Sequence, residues 1–218
     1  MNARHRPSPA RAGFTVIEVV LGAFLMASML LVAGLATDRC MALFRQQRAV
    51  QGLTTSANRL VQRVASGVAF ARRGSLQPPT IETQGSSSLQ YQRCLGVTGG
   101  AVQWSATCSL SWERESGEAD NGQDDDGDGL VDEGQLVLLQ DVGLASEQRI
   151  VLGHGLCEFM PGETFDGADE DGDGRIDERG LCFSLDGDVL TIQVGLQALD
   201  PDGHLLTKVV ETSAFLRN

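Results

Sequence analysis

The stretch FTVIEVVLGAFLMASMLLVAG, from Phe14 to Gly34, decides how this chain is read, because its 21 residues carry a single charged side chain, Glu18. As a helix rising about 1.5 Å per residue, it is long enough to cross a hydrocarbon layer of about 30 Å. It is too apolar for the surface helix of a soluble domain. Arg4, Arg6 and Arg11 precede it, and basic flanks stay on the cytoplasmic side, so the N-terminus is expected in the cytoplasm and Asp38 onward across the membrane. A secretory signal peptide or a plain signal anchor begins in the same way. The apolar run is longer than a usual signal core, however, and VAGLATDRC at its end offers no convincing cleavage site, although Gly34-Leu35-Ala36 keeps that option open. Glu18 is the unusual residue. A carboxylate within hydrocarbon is costly unless partnered, and such residues mark specific interactions. The natural partner is a positive charge on the helix of a neighbouring subunit.

Gly13-Phe14-Thr15-Val16-Ile17-Glu18-Val19-Val20 behind a short basic leader resembles the N-terminus of type IV prepilins and of the pseudopilins of type II secretion. The resemblance is close over Gly13–Leu35 and looser beyond. It implies cleavage by a prepilin peptidase after Gly13 and methylation of the new N-terminus at Phe14. It also implies that Glu18, then the fifth residue, registers each subunit against the free amine of its neighbour. The implied partners are prepilin peptidase, other pilin or pseudopilin subunits through the N-terminal helix, and an inner-membrane assembly platform.

Leu43, Val50, Leu53, Ala57, Leu60, Val61, Val64 and Val68 recur mostly at steps of three and four, with Arg45, Arg48, Arg59 and Arg63 between them. This pattern predicts an amphipathic continuation of the helix, with one stripe packed on a globular domain. The helix is expected from about Thr15 to Ala71, stopped by Gly74 and Pro78-Pro79. Short strands follow: Ser88–Cys94, Ala101–Trp112, Gly134–Asp141, Gln148–Leu152, Leu181–Leu185, Val189–Leu199 and His204–Leu216. In the sixth, Leu190, Ile192, Val194 and Leu196 alternate onto the core side. Pro201-Asp202-Gly203 predicts the turn of a hairpin. The expected fold class is α+β, a long N-terminal helix packed on an antiparallel β-sheet head. It divides into a leader at 1–13, a membrane or filament-core half of the helix at 14–35, an amphipathic half at 36–73 and a head at 75–218. The resemblance makes that plan pilin-like.

The chain has 17 Lys plus Arg against 29 Asp plus Glu, a formal charge of −12, which argues against nucleic acid as the main partner. Two short stretches, 120–133 and 166–178, hold 14 of those 29 acids, and 121–133 aligns without a gap with 166–178 at an offset of 45 residues. Each carries carboxylates at alternate places, Asp124, Asp126 and Asp128 in the first and Asp169, Asp171 and Asp173 in the second. Gly127 or Gly172 lies inside the triplet, where the chain must turn to curl three side chains around one ion. Asp132-Glu133 and Asp177-Glu178 follow, and the backbone oxygens of Leu130 and Arg175 stand at the seventh position. Hard oxygen donors in a flexible loop suit Ca²⁺, which takes six to eight ligands, better than Mg²⁺ with its tight octahedron. One or two calcium ions are expected.

These loops resemble the D-x-D-x-D-G calcium loops of EF-hands, dockerins and thrombospondin-like repeats. They differ at the twelfth position, where Gln135 and Gly180 replace glutamate. That place falls to Glu133 and Glu178, or to Asn121 and Asp166 from the upstream side. No pair of amphipathic helices flanks either loop, which points to structural sites ordering loops between strands.

Cys94, Cys108, Cys157 and Cys182 lie in the head, where disulfides persist if it is exported. Cys157 and Cys182 bracket the second loop, and Cys94 and Cys108 are placed to bridge a hairpin, although four cysteines allow three pairings. Cys40, just outside the apolar run, reads as a small buried residue or a free thiol. No nucleophile motif, phosphate loop or histidine-rich site accompanies these features, so an enzyme is not expected. The expected function is a minor pilin or pseudopilin with a calcium-stabilised head, held in the inner membrane before entering a filament. The alternatives are an adhesive or ligand-binding module displayed on a filament, and a calcium-binding domain on a simple anchor.

Overall fold

The computed structural model describes residues 13, 15–82, 84–170 and 172–216. The chain divides into two units, with the boundary between Arg45 and Gln46. Helix α1 spans Val16–Val68. Its start is set locally. Thr15 Oγ1 accepts the N–H of Glu18 at 3.3 Å, while Glu18 Oε2 accepts the N–H of Thr15 at 2.9 Å and its hydroxyl at 3.0 Å. This is a reciprocal capping box, T-x-x-E, and it satisfies donors that a helix start otherwise leaves unpaired. In the first unit the large side chains Ile17, Phe24, Met29 and Leu30 are all exposed. The most apolar window of α1 has a mean hydropathy of 2.4 and no buried residue. By length and composition, this one helix is capable of crossing a membrane.

In the second unit, Leu53, Ala57, Leu60, Val61, Val64 and Val68 of α1 are buried in one cluster with the sheet. Burying a Val or Leu fully contributes about 1.5–3 kcal/mol, so this stripe is a main attachment of the helix to the head. It begins later than expected, since Leu43 and Val50 are exposed. The helix itself ends earlier than the expected Ala71, at Val68. The chain leaves the helix after Val68 because Phe70 and Arg72 already bond to the sheet, Cys94 N–H to Phe70 O and Arg72 N–H to Gln92 O.

The described residues form seven strands, β1 (Ser88–Thr98), β2 (Ala101–Arg114), β3 (Gly134–Gln140), β4 (Gln148–Leu156), β5 (Leu181–Asp186), β6 (Val189–Leu199) and β7 (Leu205–Phe215). They form one antiparallel sheet in the order β1-β2-β3-β4-β6-β5, with β7 also paired to β6. The expected alternation holds in β6, where Leu190, Ile192, Val194 and Leu196 are buried. β6 and β7 form the expected hairpin, paired from Val189↔Phe215 to Leu199↔Leu205. The first acidic loop lies between β2 and β3 and the second between β4 and β5. Each closes on an antiparallel step, Arg114↔Gly134 for the first and Phe159↔Arg179 for the second. These steps are again 45 residues apart.

Candidate metal centres

The sequence repeat is also a repeat of backbone geometry. Asp124 accepts the N–H groups of Gly127 and Gly129 at 2.6 and 2.9 Å, and Asp169 accepts those of Gly172 and Gly174 at 2.7 and 2.9 Å. Gly127 and Gly172 have φ of 83° and 78°, a conformation that strains other residues. Asp128 receives the N–H of Leu130, and Asp173 that of Arg175. Leu130 and Arg175 therefore hold equivalent seventh places.

Asp132 and Asp177, expected among the ligands, also close their loops. Both have φ of 52°. Asp132 accepts the N–H groups of Asn121 and Gly122 at 3.2 and 2.7 Å, and Asp177 those of Asp166 and Gly167, each at 2.9 Å. The Arg114 guanidinium adds an ion pair to Asp132 at 3.0 Å. The upstream candidates have local partners too: Asn121 Oδ1 accepts the Gln123 N–H and Asp166 Oδ1 the Ala168 N–H, at 2.8 and 2.9 Å.

Glu133 is buried completely, and neither of its carboxylate oxygens has a hydrogen-bond partner among the described residues. Burial, reinforced by Asp128, Glu118 and Asp126, pushes its pKa up to about 7. An ionised carboxylate without a partner is expensive inside a protein, and mutual repulsion from a carboxylate cluster makes it worse. One bound cation removes both penalties.

The spacing fits such an ion. Ligand atoms of Glu118, Asp126 and Glu133 lie within 4.8 Å of one another, as do those of Asp124, Asp126 and Asp128. Oxygens on opposite sides of a calcium ion bonded at 2.3–2.6 Å are about 5 Å apart. Asp126 belongs to both groups, so five carboxylates converge on loop 1. Glu133 stands two places before the position at which an EF-hand carries its last glutamate. The twelfth position is engaged elsewhere: Gln135 Nε2 donates to Arg114 O at 3.1 Å. In loop 2 that place is Gly180, where a Cβ would lie 2.2 Å from the carbonyl oxygen of Cys157.

Glu118 was not expected. It stands upstream of the D-x-D-x-D-G motif and accepts the N–H groups of Asp125 and Asp126, each at 3.0 Å. Its counterpart at the same offset is Glu163, which is buried. Extending the alignment upstream would have found the pair. Both follow the same turn, with the N–H of Glu118 donated to Glu115 O and that of Glu163 to Met160 O.

In loop 2, Asp169, Asp173 and Glu178 take the places of Asp124, Asp128 and Glu133. Asp171, like Phe14 at the expected processing site, lies outside the described residues. Gly13 is exposed, and Glu18 belongs to the capping box already described. A third cluster, Asp200, Asp202 and His204, is explained by the β6–β7 turn, because Asp200 Oδ1 accepts the N–H groups of Asp202 and His204.

The expected disulfides are not formed, and all five cysteines are free thiols. Across β1 and β2, Cys94 stands opposite Trp104 and Cys108 opposite Tyr91, so the two sulfurs are out of register. The Cys157 sulfur packs over Gly195 and that of Cys182 over Gly85. Cys40 is exposed in the structure, not buried.

No family model matches the chain, and searches of curated proteins and of solved structures found no match.

Proposed function

We propose that the chain is a minor pilin or pseudopilin, a structural subunit stored in the inner membrane through α1 and assembled into a type IV pilus or type II secretion pseudopilus. Its head is ordered by calcium in loop 1 and loop 2. The observation that carries the reading is the division of labour along α1: an apolar stretch without burial that carries Glu18 near its start, then a stripe seated on an antiparallel sheet. A helix with those two faces serves a filament core at one end and a head at the other. Support for calcium comes from Glu133, buried without a partner among four further carboxylates.

A simple membrane anchor is the second reading, favoured by the capping box, which gives Glu18 a role within its own helix. Intact mass and N-terminal sequencing of the membrane-extracted protein, from cells with and without prepilin peptidase, separate the two. The pilin reading predicts a peptidase-dependent start at methylated Phe14. Retention of residues 1–13 in both strains supports the simple anchor and contradicts the pilin reading.

A further inference from the structure

The two loops share a backbone but differ in the residue at their seventh place. In loop 1 it is Leu130, whose side chain is buried and brings no charge to the carboxylates. In loop 2 it is Arg175, whose side chain is largely buried. Its Nη1 lies 3.0 Å from Asp173 Oδ2 and 3.6 Å from Glu178 Oε1, and donates to Gln193 Oε1 of β6 at 2.6 Å. The glutamate equivalent to Glu133 therefore already faces a cation supplied by the chain, whereas Glu133 makes no ion pair among the described residues and is left without a hydrogen-bond partner.

We infer that the two loops are unequal calcium sites: loop 1 binds first and tightly, while loop 2 is latched by Arg175 and fills only at higher calcium. This rests on the calcium reading of the loops. The physical reason is competition for the same oxygens. A divalent ion drawn to Asp173 and Glu178 meets a guanidinium held against them, and like charges at such separations repel strongly where water is scarce. The ion must displace the arginine or share its carboxylates. Loop 1 presents the opposite situation, since its empty state is the costly one and occupancy relieves it. Gln193 ties the latch to β6, so filling loop 2 also releases a contact between that loop and the sheet.

The test is calorimetric titration of the full-length protein in detergent micelles with calcium chloride alone, beside equilibrium dialysis to count bound ions. The wild type is expected to show a tight and a weak step. Arg175→Leu, which copies Leu130, tightens the weak step by about tenfold or more and leaves the tight one unchanged. Arg175→Gln keeps a polar arm without the charge and shifts the weak step in the same direction, which guards against a packing defect in the leucine variant. Glu133→Gln removes the tight step and spares the weak one. Two indistinguishable steps in the wild type, an unchanged weak step in both Arg175 variants, or loss of the tight step in Glu178→Gln overturns the inference while leaving calcium binding in place. No bound calcium at about 10⁻³ M, where weak extracellular modules fill, overturns the calcium reading itself, and the inference with it.

Discussion

The guanidinium of Arg114 lies 3.0 Å from the carboxylate of Glu158, and this pair ties the end of β2, where loop 1 begins, to the segment leading into loop 2. Arg114 also pairs with Asp120 and Asp132, each at 3.0 Å. From the far side of loop 2, Arg179 lies 4.4 Å from the centre of the Trp112 ring and 3.8 Å from Glu158. The two loops thus share a base of two arginines, one carboxylate and one indole. Buried ion pairs contribute little over an apolar replacement of the whole set, but removing one partner strands the others.

Arg114→Met accordingly destabilises the head, because Asp132 is left almost fully buried without its cation. The expected loss is about 3 kcal/mol, read from the shift in urea midpoint at unchanged slope.

Glu133→Gln changes sign with calcium. In chelator the variant is as stable as the wild type or more so, because an unpartnered buried carboxylate has become a neutral amide. With calcium at a hundred times its dissociation constant the wild type gains about 2.7 kcal/mol from occupancy of one site. The variant loses the share that loop 1 contributes. Thermal unfolding in both conditions measures the crossing.

The same residue sets a pH slope in chelator. The pKa of Glu133 rises in the folded chain from 4.5 to about 7, so between those values the folded protein holds a proton that the unfolded chain has released. The resulting stabilisation is complete below the unfolded pKa and is lost as pH rises through 7. Glu133→Gln flattens that part of the stability profile, measured by urea unfolding across the interval.

At Gly180 a methyl group would meet the Cys157 backbone at 2.2 Å from its oxygen and 2.7 Å from its nitrogen. Gly180→Ala is expected to cost about 1–3 kcal/mol through strain. Gly74→Ala, with nothing within 4 Å of the added carbon, serves as the control and stays within about 0.5 kcal/mol.

Cysteine labelling checks the free thiols. Burial pushes the Cys157 thiol up to about 11 and that of Cys182 up to about 12, and the reactive form is the thiolate. Iodoacetamide on the native protein at about pH 8 should modify exposed Cys40 rapidly and spare Cys157 and Cys182 until urea is added. Mass spectrometry reads both stages, and label-resistant pairs after unfolding would reveal bridges.

Much of the fold was legible because its signals are local and periodic. The steps of three and four from Leu53 to Val68 marked the buried face of α1, and alternation around Ile192 placed β6 and its hairpin partner. The helix end was not legible. The feature that ends it is pairing of Phe70 and Arg72 with β1, a contact distant in sequence. In the loops, the alternating aspartates announced an acidic repeat, but spacing could not separate Asp132, which folds back to the N–H groups of Asn121 and Gly122, from Glu133, which points inward. Glu118 escaped notice because it reaches the loop from across a turn. The cysteines illustrate the same limit, since proximity in sequence said nothing of the register that sets Cys94 and Cys108 apart.

The most direct measurement is anomalous diffraction from crystals of the calcium-loaded protein. The account predicts a peak in loop 1 at about 2.3–2.6 Å from the carboxylate of Glu133 and from oxygens of Asp124, Asp126 and Asp128. A well-ordered loop 1 with no peak at about 10⁻³ M calcium, and a Glu133 carboxyl that still faces no cation, would contradict it.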